Sequence, residues 1–246
     1  MGGGLVLVVL LAWCYLLAGA GMHVPGPAGA GMSMAGEARS GDAARWIVML
    51  LMWWIMMIAM MVPSAAPMIL LYAKVYRKGH ASGQLAAPYA PTAAFAGGYL
   101  LAWLLFSVGA VLLHFSLEAL GLVERMTMGS TSQRLSALFL VVAGLYQFSP
   151  WKYRCLAQCR SPVSFLSTHW RRSPAGAARA GLEHGFYCVG CCWSLMLLLF
   201  VGGVMSLLWI AGLAVLVLGE KLLPRGARVA QGAGAVMIAA GIVWLL

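Results

Sequence analysis

Acidic side chains are scarce in this chain, with six Asp and Glu among 246 residues. There are no paired carboxylates for general acid–base chemistry, no P-loop and no glycine-rich phosphate cradle, so an ATP-driven pump would need a partner to supply the nucleotide chemistry. Charged residues of either sign make up only 9% of the chain, against 63% hydrophobic, and the mean hydropathy is +0.90. A soluble domain of this length has nowhere to hide so much apolar surface. No basic run is interleaved with aromatics on a polar face, so the formal net charge of +10 does not point to nucleic acid. None of the loops resembles a small disulfide-stapled domain, so the six cysteines do not suggest a secreted scaffold. No internal repeat and no separate soluble unit is visible.

What is present is a series of apolar runs. Residues 3–20, 45–76, 92–120, 133–148, 184–201, 204–218 and 229–246 each read as a membrane span, giving an all-α, polytopic transmembrane helix bundle of about seven spans. The first run ends in Ala18-Gly19-Ala20, which is similar to a signal-peptidase site, but no basic segment precedes it. It is therefore expected to be retained, and six spans remain if it is cleaved. The chain is read as one integral membrane domain: a first span and a Gly/Pro/Met-rich loop over 1–44, a core over 45–222, and a last span over 223–246. Pro63 and Pro67 are expected to kink the second span, and Gly202-Gly203 to turn the chain between the fifth and sixth. Gly232, Gly234 and Gly241 are expected to give the last span close helix contacts.

The stretch from His184 to Met196 holds Cys188, Cys191 and Cys192. It reads as the first turns of the fifth span, where these three thiols and His184 share an arc of about 100° on a helix. Upstream, in the loop after the fourth span, Cys155 and Cys159 are one helical turn apart and His169 follows. Arg154 and Arg160 flank the two thiols and are expected to favour thiolate. Thiolate and imidazole on one face suit a soft or borderline metal, or thiol redox chemistry; packing between helices is the plainer account of the same cysteines.

Methionine is the second signal, with 16 residues in all. Met49, Met52, Met56 and Met60 share an arc of about 80° on the second span, and Met57 and Met61 widen it. Met22, His23, Met32 and Met34 lie in the preceding loop. Such stripes serve as flexible packing or as thioether ligands. His114 and Glu118, four apart near the far end of the third span, read as an interfacial pair touching water, or as a gate, proton relay or metal contact.

Twelve of the 16 Lys and Arg residues fall in the second, fourth and sixth inter-span loops. The positive-inside rule then puts those loops and the N-terminus in the cytoplasm and the C-terminus outside. The cysteines sit on the reducing side, the Met/His loop outside, and the methionine face between. That order suits Cu(I). Zinc would accept the Cys/His set but leaves the methionines unexplained.

Three segments carry a family resemblance: Met52 to Pro63, Pro150 to Arg160, and His184 to Trp193. Over about residues 45–222 the chain resembles a bacterial family of predicted metal-binding integral membrane proteins, filed as a domain of unknown function, whose members are sometimes labelled copper chaperones. The resemblance implies copper handling, and the function expected from it together with the residues above is an inner-membrane copper chaperone, importer or assembly factor. Its expected ligands are Cys155, Cys159, His184, Cys188, Cys191 and Cys192, fed by Met56 and Met60. Met57, Met61, His114, Glu118, His169, Met22, His23, Met32 and Met34 are auxiliary candidates. Its expected partners are the lipid bilayer and a soluble copper carrier or cuproenzyme, with no nucleic acid. Two other functions compete: a thiol oxidoreductase in which Cys155 and Cys159 exchange with Cys188 and Cys191, and a structural subunit without ligand. Redox-dependent alkylation tests the first: a mass shift between oxidised and reduced cells supports exchange, and permanently reduced thiols argue against it.

Overall fold

The computed structural model describes residues 2–18, 34–81, 90–124, 128–171 and 173–246, with side chains for all of these except 34–42, 80–81 and 90. The elements are α1 (Gly2–Leu17), α2 (Met34–Ala81), α3 (Ala90–Ala119), α4 (Gln133–Tyr146), α5 (Pro150–Arg160), α6 (Pro162–His169), α7 (Pro174–Leu197), α8 (Leu199–Gly202), α9 (Leu207–Leu222) and α10 (Gly226–Leu245). The chain is an all-α bundle, and each of the seven apolar runs forms a helix. Four helical stretches among the described residues are long and apolar enough to cross a membrane: Ala43–Gly79, Pro91–Ala119, Pro174–Gly202 and Gly226–Leu245. α1 and α4 are shorter apolar helices.

The bundle is organised around α7. This helix packs along α3 and carries α5 on another side, while α10 packs on α4 and α1 on α2. The α3–α7 contact is made by small residues. A Cβ on Gly181 would overlap the carbonyl of Phe95, and one on Gly98 would overlap the carbonyl of Ala178. The two backbones therefore touch, which is how helices associate when the surrounding solvent is as apolar as their side chains. Gly234 and Gly241 serve the α4–α10 contact in the same way, whereas Gly232 has open space around its Cβ position and makes no close contact.

One boundary differs from expectation. α7 begins at Pro174, ten residues before the expected start of the fifth span. Ser173 caps it by accepting from the Gly176 amide at 3.1 Å, and Pro174 occupies the first turn, where its missing N–H costs nothing. Arg179 and Glu183 are a helical surface pair at 3.0 Å, although as charged residues they read as loop. The cysteines consequently sit more than three turns inside the helix rather than at its start. α2 runs through both Pro63 and Pro67 as one helix. The Met61 carbonyl just before them accepts from the Tyr99 hydroxyl of α3 at 3.2 Å and from the Ser64 hydroxyl of α2 itself at 2.8 Å. Gly203 has φ +82°, a conformation glycine adopts without strain, and it ends α8 at the expected turn.

Replacing Gly181 with Val is expected to separate α3 from α7, at or above the upper end of the ~1–3 kcal/mol usual for overpacking. Thermal unfolding of the detergent-purified variant measures it, and a melting temperature equal to wild type would contradict the backbone contact.

Candidate metal centre

Cys188, Cys191 and Cys192 are at most 1% exposed. Consecutive helix residues point about 100° apart, so Cys191 and Cys192 face different neighbours. Cys191 Sγ lies 3.9 Å from Cys159 Sγ on α5, and Cys192 Sγ lies 3.9 Å from the thioether of Met61 on α2. Both Cys191 and Cys192 thiols donate back to the Cys188 carbonyl, at 3.1 and 2.9 Å. This fixes their rotamers toward those partners. All described cysteines are free thiols.

Cys188 has polar neighbours instead. Lys221 Nζ donates to its sulfur at 2.8 Å and to Ser64 Oγ at 3.1 Å, and the Tyr99 hydroxyl lies 3.1 Å away. Beside this, Lys152 Nζ and Glu220 form an ion pair at 2.6 Å. Lys152 also donates to the Cys191 carbonyl at 2.9 Å, and Gln147 donates to Glu220 at 3.0 Å. Lys152 and Glu220 are at most 1% exposed and Lys221 only 6%. Both lysines are among the twelve basic residues that the charge pattern assigns to loops. Tyr99 and Ser64 gave no signal at all. The hint available was that α9 closes on an adjacent acid and base in a chain with very few charges.

Other candidates are placed elsewhere. Cys155 is only partly buried, and a Cβ on Gly190 would sit 2.8 Å from its sulfur. It packs on the α7 backbone. Burial raises its pKa, and hydrogen bonds to Cys188 and Cys191 raise that of Cys159 well above the ordinary thiol value. The Arg160 guanidinium is spent on the carbonyls of Leu223 and Pro224, at 2.7 and 2.9 Å. His184 is buried among the rings of Phe95, Tyr99 and Phe165, one turn from Cys188, with no hydrogen-bond partner for Nδ1 among the described residues. His169 stacks on Phe165 with 4.4 Å between ring centroids and lies 3.9 Å from Glu183, away from the thiol pairs. Met56, Met57 and Met60 are buried on α2, and among the described residues it is the Met61 sulfur that meets a cysteine.

At the other end of α3, His114 is fully buried rather than wet. Glu118 is taken by Arg45 through contacts of 2.7 and 2.6 Å, and His114 Nε2 lies 3.8 Å from the same carboxylate. Met22, His23 and Met32, with the side chain of Met34, lie outside the described residues.

Among the described residues, no three His, Cys, Asp or Glu side chains converge into a ready ligand shell. The sulfur pairs are a different arrangement, because one partner of the second pair is a thioether. Two metal–sulfur bonds of about 2.3 Å can span up to ~4.6 Å, so each 3.9 Å pair can be bridged by one ion without moving its helices. A soft ion that accepts thioether and thiolate alike fits that donor set.

Residues 50–244 match the model of a family described as "Copper chaperone". No curated protein matches the chain, and no solved structure does.

The charge pair near the thiols gives a direct test. Lys152→Met should cost ~3–5 kcal/mol, because it strands Glu220 without a counter-ion. The double variant Lys152→Met/Glu220→Met should recover most of that loss. Denaturation of the three proteins in detergent measures both, and a double variant no more stable than Lys152→Met would show that the pair is not the cause.

Proposed function

The chain belongs to the copper chaperone family, and on that premise we propose that it is a membrane carrier of Cu(I), passing the ion between sulfur pairs along α7. The observation that carries this reading is the adjacency of Cys191 and Cys192: neighbouring residues whose sulfur atoms each stand 3.9 Å from a sulfur on a different helix. Copper is the cargo. It would be held first by Met61 with Cys192 and then by Cys191 with Cys159, each transfer exchanging one sulfur ligand for the next while another is kept. Cu(I) tolerates low coordination numbers and binds thioether and thiolate alike, so such exchange has no fully unligated step. Thiols lose their protons when they take the metal.

The remaining candidates take supporting roles in this reading. Met56, Met57 and Met60 extend the thioether face along α2. His184 offers its unpartnered Nδ1 one turn from Cys188, and Cys155 marks the α5 side from which a soluble copper carrier or cuproenzyme would collect the ion. His114 and Glu118 stand at the far end of α3. His169 would be a bystander, as would Met22, His23, Met32 and Met34 unless the loop captures copper outside. We place the protein in a bacterial inner membrane with its basic loops and N-terminus in the cytoplasm and its C-terminus outside, so that transfer from Met61 to Cys159 would run inward. The second reading, thiol–disulfide exchange, is favoured by one distance only, the 3.9 Å between Cys159 and Cys191. It leaves the Met61–Cys192 contact without a role.

Protein purified from copper-supplemented cells is expected to contain copper, and to bind Cu(I) in competition with a chromophoric chelator. Cys159→Ser/Cys191→Ser should lower the bound copper severalfold. Met61→Leu should retain that pair's copper but slow loading. A wild-type protein that is copper-free as isolated and takes up no Cu(I) in vitro overturns the reading.

A further inference from the structure

His114 is fully buried near the end of α3, away from the thiol pairs. Neither of its ring nitrogens has a hydrogen-bond partner among the described residues. Each nitrogen of an imidazole is a donor or an acceptor, so enclosing both without partners is costly. Nε2 lies 3.8 Å from the Glu118 carboxylate, just beyond hydrogen-bond reach. Arg45 grips that carboxylate at 2.7 and 2.6 Å and lies over the Phe115 ring, 5.0 Å from its centroid. The ring's other neighbours, Phe115 and Phe200, have centroids 5.8 and 6.1 Å away and offer Nδ1 no conventional partner. α2 supplies the remaining wall. Its Trp46 packs on Phe115 and its Trp53 on Phe200, with centroids 4.2 and 5.5 Å apart. Met49 is buried and stands one helical turn from Arg45 and one from Trp53, which puts its thioether at the level of His114.

We propose that His114 and Met49 form a second copper site, a loading site in which the His114 imidazole and the Met49 thioether take up Cu(I) before it reaches the cysteines. This rests on the copper reading above. Nδ1 is the ligand nitrogen, and Nε2–H turns to Glu118, because a metal-bound histidine usually gives its second ring N–H to a carboxylate. Glu118 is a positioning residue here, and Arg45 fixes it from α2. The Arg45 side chain is 36% exposed, so water screens its charge from the ion. Imidazole and thioether are neutral donors that suit Cu(I). They hold it less firmly than thiolates do, which lets the ion leave. From Met49 the buried thioethers of Met52, Met56 and Met60 continue along α2. They lead to Met61, about 18 Å further along the helix, whose sulfur meets Cys192. The donors thus grow softer and more strongly binding from His114 to Cys191.

The test uses Cu(I) on the full-length protein in detergent. At saturation, wild type should bind one more ion per chain than His114→Leu. That variant removes two unpartnered polar atoms, so its melting temperature should not fall. In Cys159→Ser/Cys191→Ser/Cys192→Ser the thiol pairs are gone, and X-ray absorption of the remaining Cu(I) should show an imidazole nitrogen at about 2.0 Å. Adding His114→Leu should remove that nitrogen signal, whereas adding His184→Phe, which removes the buried imidazole beside Cys188, should leave it. Adding Glu118→Gln should weaken the remaining Cu(I) by ~10–100-fold. The comparison of wild type with His114→Leu keeps every cysteine, so it stands even where the serine variant does not fold. Equal saturation of wild type and His114→Leu, or a nitrogen signal that survives His114→Leu, overturns the loading site and leaves the copper reading standing. A wild type that binds no Cu(I) overturns the copper reading and this inference with it.

Discussion

Two ammonium groups, Lys152 and Lys221, are enclosed in a bundle that offers almost no other charge, and the arrangement around the sulfur atoms follows from how each finds a partner. An unpaired buried cation is among the most costly features a helix bundle can contain. Lys152 meets Glu220 and the Cys191 carbonyl; Lys221 meets Ser64 and Cys188. The first set ties α5 to α9 across the face of α7 and so holds Cys159 against Cys191. The second ties α9 to α2 and α7 and so closes the region around Cys188. The charges and the thiols therefore form one interdependent group. α5 is a short helix that buries only Lys152 and Leu156, so the Lys152 ion pair is one of its main anchors beside the Arg160 contacts to the end of α9.

The role of α7 comes from simple helical geometry. Its glycines bring it into backbone contact with α3, which leaves its other faces to the cysteines. Two cysteines in succession cannot look the same way on a helix, so Cys191 and Cys192 address α5 and α2 respectively. On the carrier reading this turns one helix into a pivot, with a thioether on one side and a thiol on the other. A single cluster with all ligands on one element would bind an ion firmly and would lack a neighbouring pair to receive it.

How much of this was legible can be judged residue by residue. The all-α bundle was plain, because long apolar runs have few alternatives in a bilayer where every backbone group must be paired within its own segment. The start of α7 was not, since Arg179 and Glu183 carry the charge of a loop yet pair along a helix surface. The methionine face of α2 was visible, but its periodicity cannot tell which methionine meets a cysteine. Met61 does so because of how α2 is rotated against α7, and that rotation is held in part by Tyr99 on a third helix. Arg160 shows the opposite failure: its position beside Cys159 suggested an electrostatic role, and its side chain turns instead to carbonyls at the end of α9.

By itself the sequence determined the helical type of the apolar runs, the spacing of the basic residues between them, and the abundance of sulfur in the second and fifth runs. These are properties of composition and local period, and the solvent enforces them on each segment separately. Only the tertiary structure decided which sulfur atoms meet, and that Lys152, Glu220 and Lys221 lie inside. A charged residue at the end of an apolar run can face water or turn inward. The choice depends on whether another helix presents a partner at that level, which no single segment encodes.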